Sequence, residues 1–310
     1  GFLIKRIIGL PGETISFAHG NVLVNGQVAA KSFGQIDQQK ILVYDSQFEP
    51  RSLPRRRLRF SPPESWLDEA GVWSFRPESS GTEPILIDYA AWRCYLHADS
   101  REAIGPVEDV YFSDQALPRQ LHATDELSIA FTVAVSDETE FTVVRDYCGR
   151  RLECKFSWPA RSIFVIDLDS AEPKNEIACF PLPGELPEEP ITIEIATVDQ
   201  KFAVRVGIEG LGRVHVSRSK RPISEQVFQI RIQNGKGLRF GRLQIFRDVY
   251  WFDEPNLFTE DGKSTREFQV PDDSYFVMGD NVPVSRDSRD WTVPYVPRRS
   301  ILGTVRPTAE

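Results

Sequence analysis

Apolar and polar positions alternate with a period of two along much of this chain, and β-branched residues crowd the alternating runs. Side chains two apart share one face of a strand, so the pattern predicts half-buried strands rather than amphipathic helices. The runs cover residues 3–8, 21–24, 127–135, 140–144, 162–168, 191–196, 202–208 and 275–278. Gly, Asp, Asn and Pro separate several of them at the spacing of a sandwich or barrel, so the expectation is a mostly-β protein.

Four regions differ in character. Residues 1–32 read as a strand, turn and hairpin unit, with turn chemistry at Ala18-His19-Gly20-Asn21 and Val24-Asn25-Gly26-Gln27. Residues 33–81, rich in Pro, Arg, Ser and Gln, read as a connector. Residues 82–252 hold the long strand series and read as a domain of their own. Residues 253–310, dense with Asp, Ser, Arg and Pro around one apolar strand, have the look of an active-site loop.

Composition narrows the function. Apolar residues are 41% and charged residues 26% of the chain, ordinary globular usage that leaves enough apolar surface for a core. A net charge of -8 counts against a nucleic-acid partner, and the run from Arg51 to Arg59 reads as a solvated Pro- and Arg-rich connector. No run of about 18 apolar residues marks a spanning helix, and no signal-peptide pattern opens the chain. Gly1-Phe2-Leu3-Ile4 already has the character of mid-strand and the only methionine is Met278, so an upstream start, with any anchor, is expected to have been removed.

The four cysteines, Cys94, Cys148, Cys154 and Cys179, lack the paired spacing of zinc ligands, and no metal cofactor is expected. Cys148 and Cys154 flank Gly149-Arg150 in a predicted hairpin. A cross-strand disulfide and two buried free thiols both fit there.

Two segments carry candidate chemistry. The run from Ile4 to Glu13 sets Lys5 in an apolar strand that ends in a Gly-x-Pro-Gly turn. Alternation points Lys5 away from Ile4 and Arg6, so one of the two cations faces the interior or a cleft. A lysine kept dry gives up its proton more readily and can act as a neutral base, whereas at a solvated edge it only discourages aggregation. In the second segment, residues 275–291, Gly279 permits close backbone approach, Asp280 and Asn281 bond their own chain, and Ser285, Asp287, Ser288 and Arg289 gather polar groups. In isolation that segment reads equally as a solvated Asx-turn loop.

Taken together, KRIIGLPGET at residues 5–14 and MGDNVPVSRDSRDW at residues 278–291 resemble two boxes of the type I signal peptidases, in the family's order. The resemblance implies a serine/lysine protease without metal or nucleotide cofactor. It makes Lys5 the general base and Ser285 the hydroxyl that orients it. It makes Asp287 and Arg289 a pair bracing the loop, Asp280 the partner of Arg6, and Met278, Gly279 and Asn281 part of the loop packed on the catalytic strand. It further implies that the substrates are signal peptides of secretory preproteins, bound as extended strands. The implied site of action is the extracytoplasmic, periplasmic face of the cytoplasmic membrane, reached through an N-terminal anchor missing here.

This sequence departs from the family's pattern in three places. The upstream Ser-Met-x-Pro box that holds the nucleophile is absent, so the fragment is expected to be inactive. Val282, Pro283 and Val284 stand where a more polar loop is common, and Thr292 follows Trp291 where glycine is usual. Between the boxes lies sequence enough for a whole domain, and its runs 127–133 and 194–207 resemble strands of concanavalin- or laminin-G-like jelly rolls. Such sandwiches have glycan or protein ligands, so the alternative function is a non-catalytic binding protein with a peptidase-like remnant. A self-cleaving repressor-type serine/lysine protease fits the closing box less well.

Overall fold

The computed structural model describes residues 2–49, 57–69, 71–76, 84–91, 105–111, 121–170, 175–182, 185, 188–224, 226–252 and 266–305. The chain forms two compact units: Gly1–Lys31 with Asp109–His122 and Val249–Glu310, and Ser32–Glu108 with Ala123–Asp248. The described pairings are antiparallel strands in both units, and the protein is mostly β.

In the smaller unit, strand Arg6–Gly9 pairs with Ser274–Met278, which also pairs with Val296–Pro297. A second sheet orders Phe268–Gln269, Thr14–Ala18, Asn21–Val24 and Gln27–Val28. Its turns follow the local chemistry. His19-Gly20 (φ 52° and 84°) and Asn25-Gly26 (φ 52° and 77°) lie in the left-handed region that two-residue hairpin loops require. Gly12 (φ 81°) follows Pro11 in the turn that closes the first strand, where Leu10 N–H reaches Glu13 Oε2 at 2.6 Å. Ile15, Phe17, Phe268 and Phe276 form this unit's core, with ring centroids of Phe276 4.6 Å from Phe268 and 6.4 Å from Phe17.

The larger unit is a jelly-roll-like β-sandwich. One sheet runs Glu209–His215, Lys201–Val206, Ile191–Val198, Leu127–Ala134, Arg239–Arg247, Val72–Phe75 and Trp66–Glu69, with Ile41–Asp45 also on Arg239–Arg247. The other runs Glu176–Pro181, Ser162–Asp167, Arg150–Ser157, Glu140–Tyr147, Gln226–Asn234, Ile85–Ala90 and Leu58–Ser61. Phe131 and Phe240 of the first sheet meet Phe141 of the second at 6.1 and 5.7 Å, and Phe156 stacks on Phe141 at 4.8 Å. All four rings are buried, each contributing about 2–3 kcal/mol by leaving water.

Polar groups close one end of the sandwich. Asp125 accepts the N–H of Cys148 at 2.7 Å and Glu126 that of Asp199 at 2.6 Å, tying down two hairpin turns whose Cys148 and Asp199 have φ of 54°. Burial, reinforced by the charges of Asp125, Asp199 and Asp248, pushes the Glu126 carboxyl up to about 8.

Two expectations need correction. Residues 33–81, expected as a connector, supply helix Phe33–Gln39 and strands Ile41–Asp45, Leu58–Ser61, Trp66–Glu69 and Val72–Phe75. Each of those strands needs only one or two inward anchors, such as Tyr44, Leu58, Trp66 and Trp73, so Pro- and Arg-rich composition hides it. Ser32 and Gln35 cap the helix reciprocally, a signal the composition masked. The opening strand begins at Arg6 rather than residue 3, leaving Lys5 just before it. Of the two readings open for Cys148 and Cys154, the buried free thiols hold, because the register sets Cys154 against Val143 rather than Cys148. Cys179 is free and exposed. Cys94 and residues 51–56 of the basic run lie outside the described residues.

Candidate functional site

The smaller unit brings the two boxes together. Pairing of Arg6 with Met278 and Ile7 with Val277 sets the opening strand beside the strand that leads into the closing loop. Lys5 Nζ then donates to Ser285 Oγ at 2.6 Å, in a partly buried position. Arg6 turns the other way and forks Asp280, with Nε and Nη2 each 2.8 Å from a carboxylate oxygen.

The loop is held by its own backbone. Ser285 N–H donates to the Asn281 carbonyl at 3.0 Å, while Ser288 locks the loop to the strand by accepting from Val277 N–H at 2.9 Å and donating its own N–H to Val277 at 3.1 Å. Gly279 lies under the pair, where an added Cβ would sit 2.3 Å from Ser285 Oγ and 3.2 Å from Lys5 Nζ. Only a glycine lets the two side chains meet over this backbone.

Asp287 and Arg289 form the brace beneath. Arg289 donates Nε to Asp287 Oδ1 at 2.8 Å and Nη2 to Oδ2 at 2.9 Å, a bidentate pair in which Asp287 is fully buried and Arg289 nearly so. The same guanidinium reaches the carbonyls of Phe252 at 2.9 Å and Val282 at 2.8 Å. Gly279 N–H donates to Asp287 at 3.1 Å. Burial alone would raise the Asp287 carboxyl, but the Arg289 guanidinium and hydrogen bonds from Gly279 and Ser285 outweigh it and hold it below its ordinary range.

Ser288 was named from sequence only among the polar groups of the closing segment and Val282 only as a departure, while Phe252 was not singled out at all. Ser288 and Val282 sit inside the closing box, but Phe252 is 37 positions from Arg289 and no local pattern marks it. Val282, expected to depart from the usual loop, is buried and turns its carbonyl to Arg289. Chemically, the arrangement is an amine with its direction set by a hydroxyl and its loop clamped by a buried ion pair, which suits proton transfer to and from a reacting group. Among the described residues, no three His, Cys, Asp or Glu side chains gather as metal ligands, and no helix is long and apolar enough to cross a membrane.

Residues 2–58 and 234–309 match the family model described as signal peptidase, peptidase S26. Over these two segments the chain is S26-like. The matched segments contain Lys5, Arg6, Gly279, Asp280, Asn281, Ser285, Asp287 and Arg289. No curated protein matches the chain.

Solved structures similar to it include a protein of unknown function with a galectin-like fold from Bacillus subtilis, 7% identical, covering 69% of this chain and 99% of that one with a TM-score of 0.41. The carbohydrate recognition domain of Emp47p is 11% identical, covering 71% and 100% with a TM-score of 0.41. The carbohydrate-binding module CBM66 from Bacillus subtilis is 8% identical, covering 62% and 92% with a TM-score of 0.33.

Proposed function

We propose that this chain is the extracytoplasmic part of a type I signal peptidase, its catalytic domain made of the opening and closing segments and interrupted by the sandwich. A serine supplied from outside residues 1–310 is the nucleophile, and Lys5 is its base. Lys5 Nζ takes the hydroxyl proton as the serine oxygen attacks the scissile carbonyl, then returns that proton to the leaving amine. Lys5 then deprotonates a water that attacks the acyl-enzyme, and passes that proton to the serine oxygen as it leaves. Ser285 orients the amine; Arg6, Gly279, Asp280, Asn281, Asp287 and Arg289 position the loop. The substrates are signal peptides of secretory preproteins at the outer face of the cytoplasmic membrane, and the sandwich is where a glycan or protein ligand would bind.

The observation supporting this reading most strongly is the 2.6 Å contact between Lys5 Nζ and Ser285 Oγ, made across 280 positions of sequence inside S26-like segments. The test joins the chain to its native upstream sequence and follows cleavage of a preprotein. Lys5→Ala is expected to lower kcat/KM by about a thousandfold or more with the fold intact. Undiminished turnover removes Lys5 from the reaction, whereas no cleavage by the unsubstituted extended chain leaves the sandwich-centred binding protein as the better reading.

A further inference from the structure

The smaller unit contains a third piece of chain, Asp109–His122, which leaves and re-enters sequence belonging to the sandwich. Glu108 and Ala123, just outside it, pair as an antiparallel bridge. At its two ends stands a buried acid and imidazole pair. Asp109 is fully buried and His122 nearly so, with His122 Nδ1 3.0 Å from Asp109 Oδ2. The other carboxylate oxygen accepts the His122 N–H at 2.7 Å, and Asp109 N–H donates to the His122 carbonyl at 2.9 Å. One bond reaches the imidazole itself, and the other two hold the His122 main chain that carries it.

That ring bears on the brace of the Lys5 and Ser285 site. His122 stacks on Tyr250 at 4.7 Å with a 15° interplanar angle and leans on Phe252 at 5.4 Å. Between these two rings, Trp251 N–H anchors the strip to the Gly20 carbonyl at 2.9 Å. Phe252 in turn gives its carbonyl to Arg289 at 2.9 Å and its ring face to the guanidinium at 5.7 Å. Burying a carboxylate and an imidazole costs desolvation that an apolar contact would avoid. What the pair adds over an apolar contact is orientation.

From this geometry we infer that Asp109 and His122 are positioning residues of the candidate active site, acting through Phe252 and Arg289 to hold Ser285 against Lys5. The peptidase is thus completed by sequence from within the sandwich segment. The inference rests on the assignment of Lys5 and Ser285 as the reactive pair.

The experiment is brief acetylation of the intact chain with acetic anhydride at fixed pH. Peptide mass spectrometry then gives the rate at Lys5 relative to the other lysines. Ser285→Ala supplies the reference for an unheld amine. His122→Phe, which keeps a stacked ring but breaks the bond to Asp109, is expected to move the Lys5 ratio by about threefold or more toward that reference, without a matching change at other lysines. His122→Asn, which can still donate to Asp109, is expected to restore part of the native ratio.

An unchanged Lys5 ratio in folded His122→Phe overturns the inference, as does a change shared by all lysines, which marks only a structural role. If His122→Phe does not fold, Asp109→Asn carries the same test with the same two outcomes. None of these results depends on turnover, so failure here is separable from failure of Lys5→Ala to stop cleavage.

Discussion

Asp287 and Arg289 in the smaller unit, and Asp125, Glu126 and Arg218 in the sandwich, are both largely buried charge clusters, yet their carboxylates fare differently. Asp287 meets a guanidinium in bidentate register and is held below its ordinary range. Glu126 shares its site with three other acids, with Arg218 as far as 3.6 Å away, and is pushed up to about 8. The first cluster is matched in charge and sits under a partly exposed amine. The second is crowded with acid and braces two hairpin turns. Full pairing keeps the closing loop in one geometry, whereas crowding is tolerable where a carboxyl can hold its proton and still accept backbone N–H groups.

Removing the matched partner is expected to have the largest effect. Arg289→Met leaves Asp287 buried without its cation and frees the Phe252 and Val282 carbonyls, a loss of about 3–5 kcal/mol. Urea unfolding measures it, and hydrogen exchange at Gly279 and Ser288 locates it in the closing loop. A stability change below about 1 kcal/mol would mean that the pair is not holding the loop.

Gly279→Ala comes next. Its backbone needs no left-handed φ, so the cost arises from the methyl that would meet Ser285 Oγ at 2.3 Å. Overpacking of this kind costs about 1–3 kcal/mol, and displacement of Ser285 is expected to lower kcat/KM by about a hundredfold. Native turnover in this variant would show that the Lys5 and Ser285 contact tolerates being pried apart.

The pH dependence has opposite signs in the two clusters. The Asp287 carboxyl is depressed from 3.8, so its contribution is present above that value and is lost as pH falls through the folded value. The Glu126 carboxyl is raised from 4.5 to about 8, so its protonated form is favoured in the fold and stability drains away as pH rises across that interval. Glu126→Gln is expected to flatten that decline in urea unfolding between pH 5 and 8, leaving the acid limb unchanged. An unaltered decline assigns it to another group.

Much of this was legible in sequence wherever the signal was local. Asn25-Gly26 and His19-Gly20 announce their hairpins because left-handed φ limits the residues that fit. Strand Asn21–Val24 has the bounds that alternation suggests, while Glu140–Tyr147 runs three residues past its expected end because Arg145 and Tyr147 continue the inward face at the polar end of the sandwich. The proximity of Lys5 to Ser285 was readable through the two boxes and not through any pattern in either one alone.

What could not be read was set by distant partners. Residues 33–81 look like linker until sheets exist for Tyr44, Leu58, Trp66 and Trp73 to fill. Phe252, Asp109 and His122 have no motif, because their roles arise only when three separate stretches of chain meet in one unit.

The most direct measurement is a double-mutant cycle on kcat/KM in the chain extended by its upstream segment, with Lys5→Ala, Ser285→Ala and both together. If Ser285 works by holding the Lys5 amine, the double variant is expected to be no slower than Lys5→Ala alone, since residues that act as one unit are lost only once. Effects that multiply, or full activity in Lys5→Ala, would contradict the account.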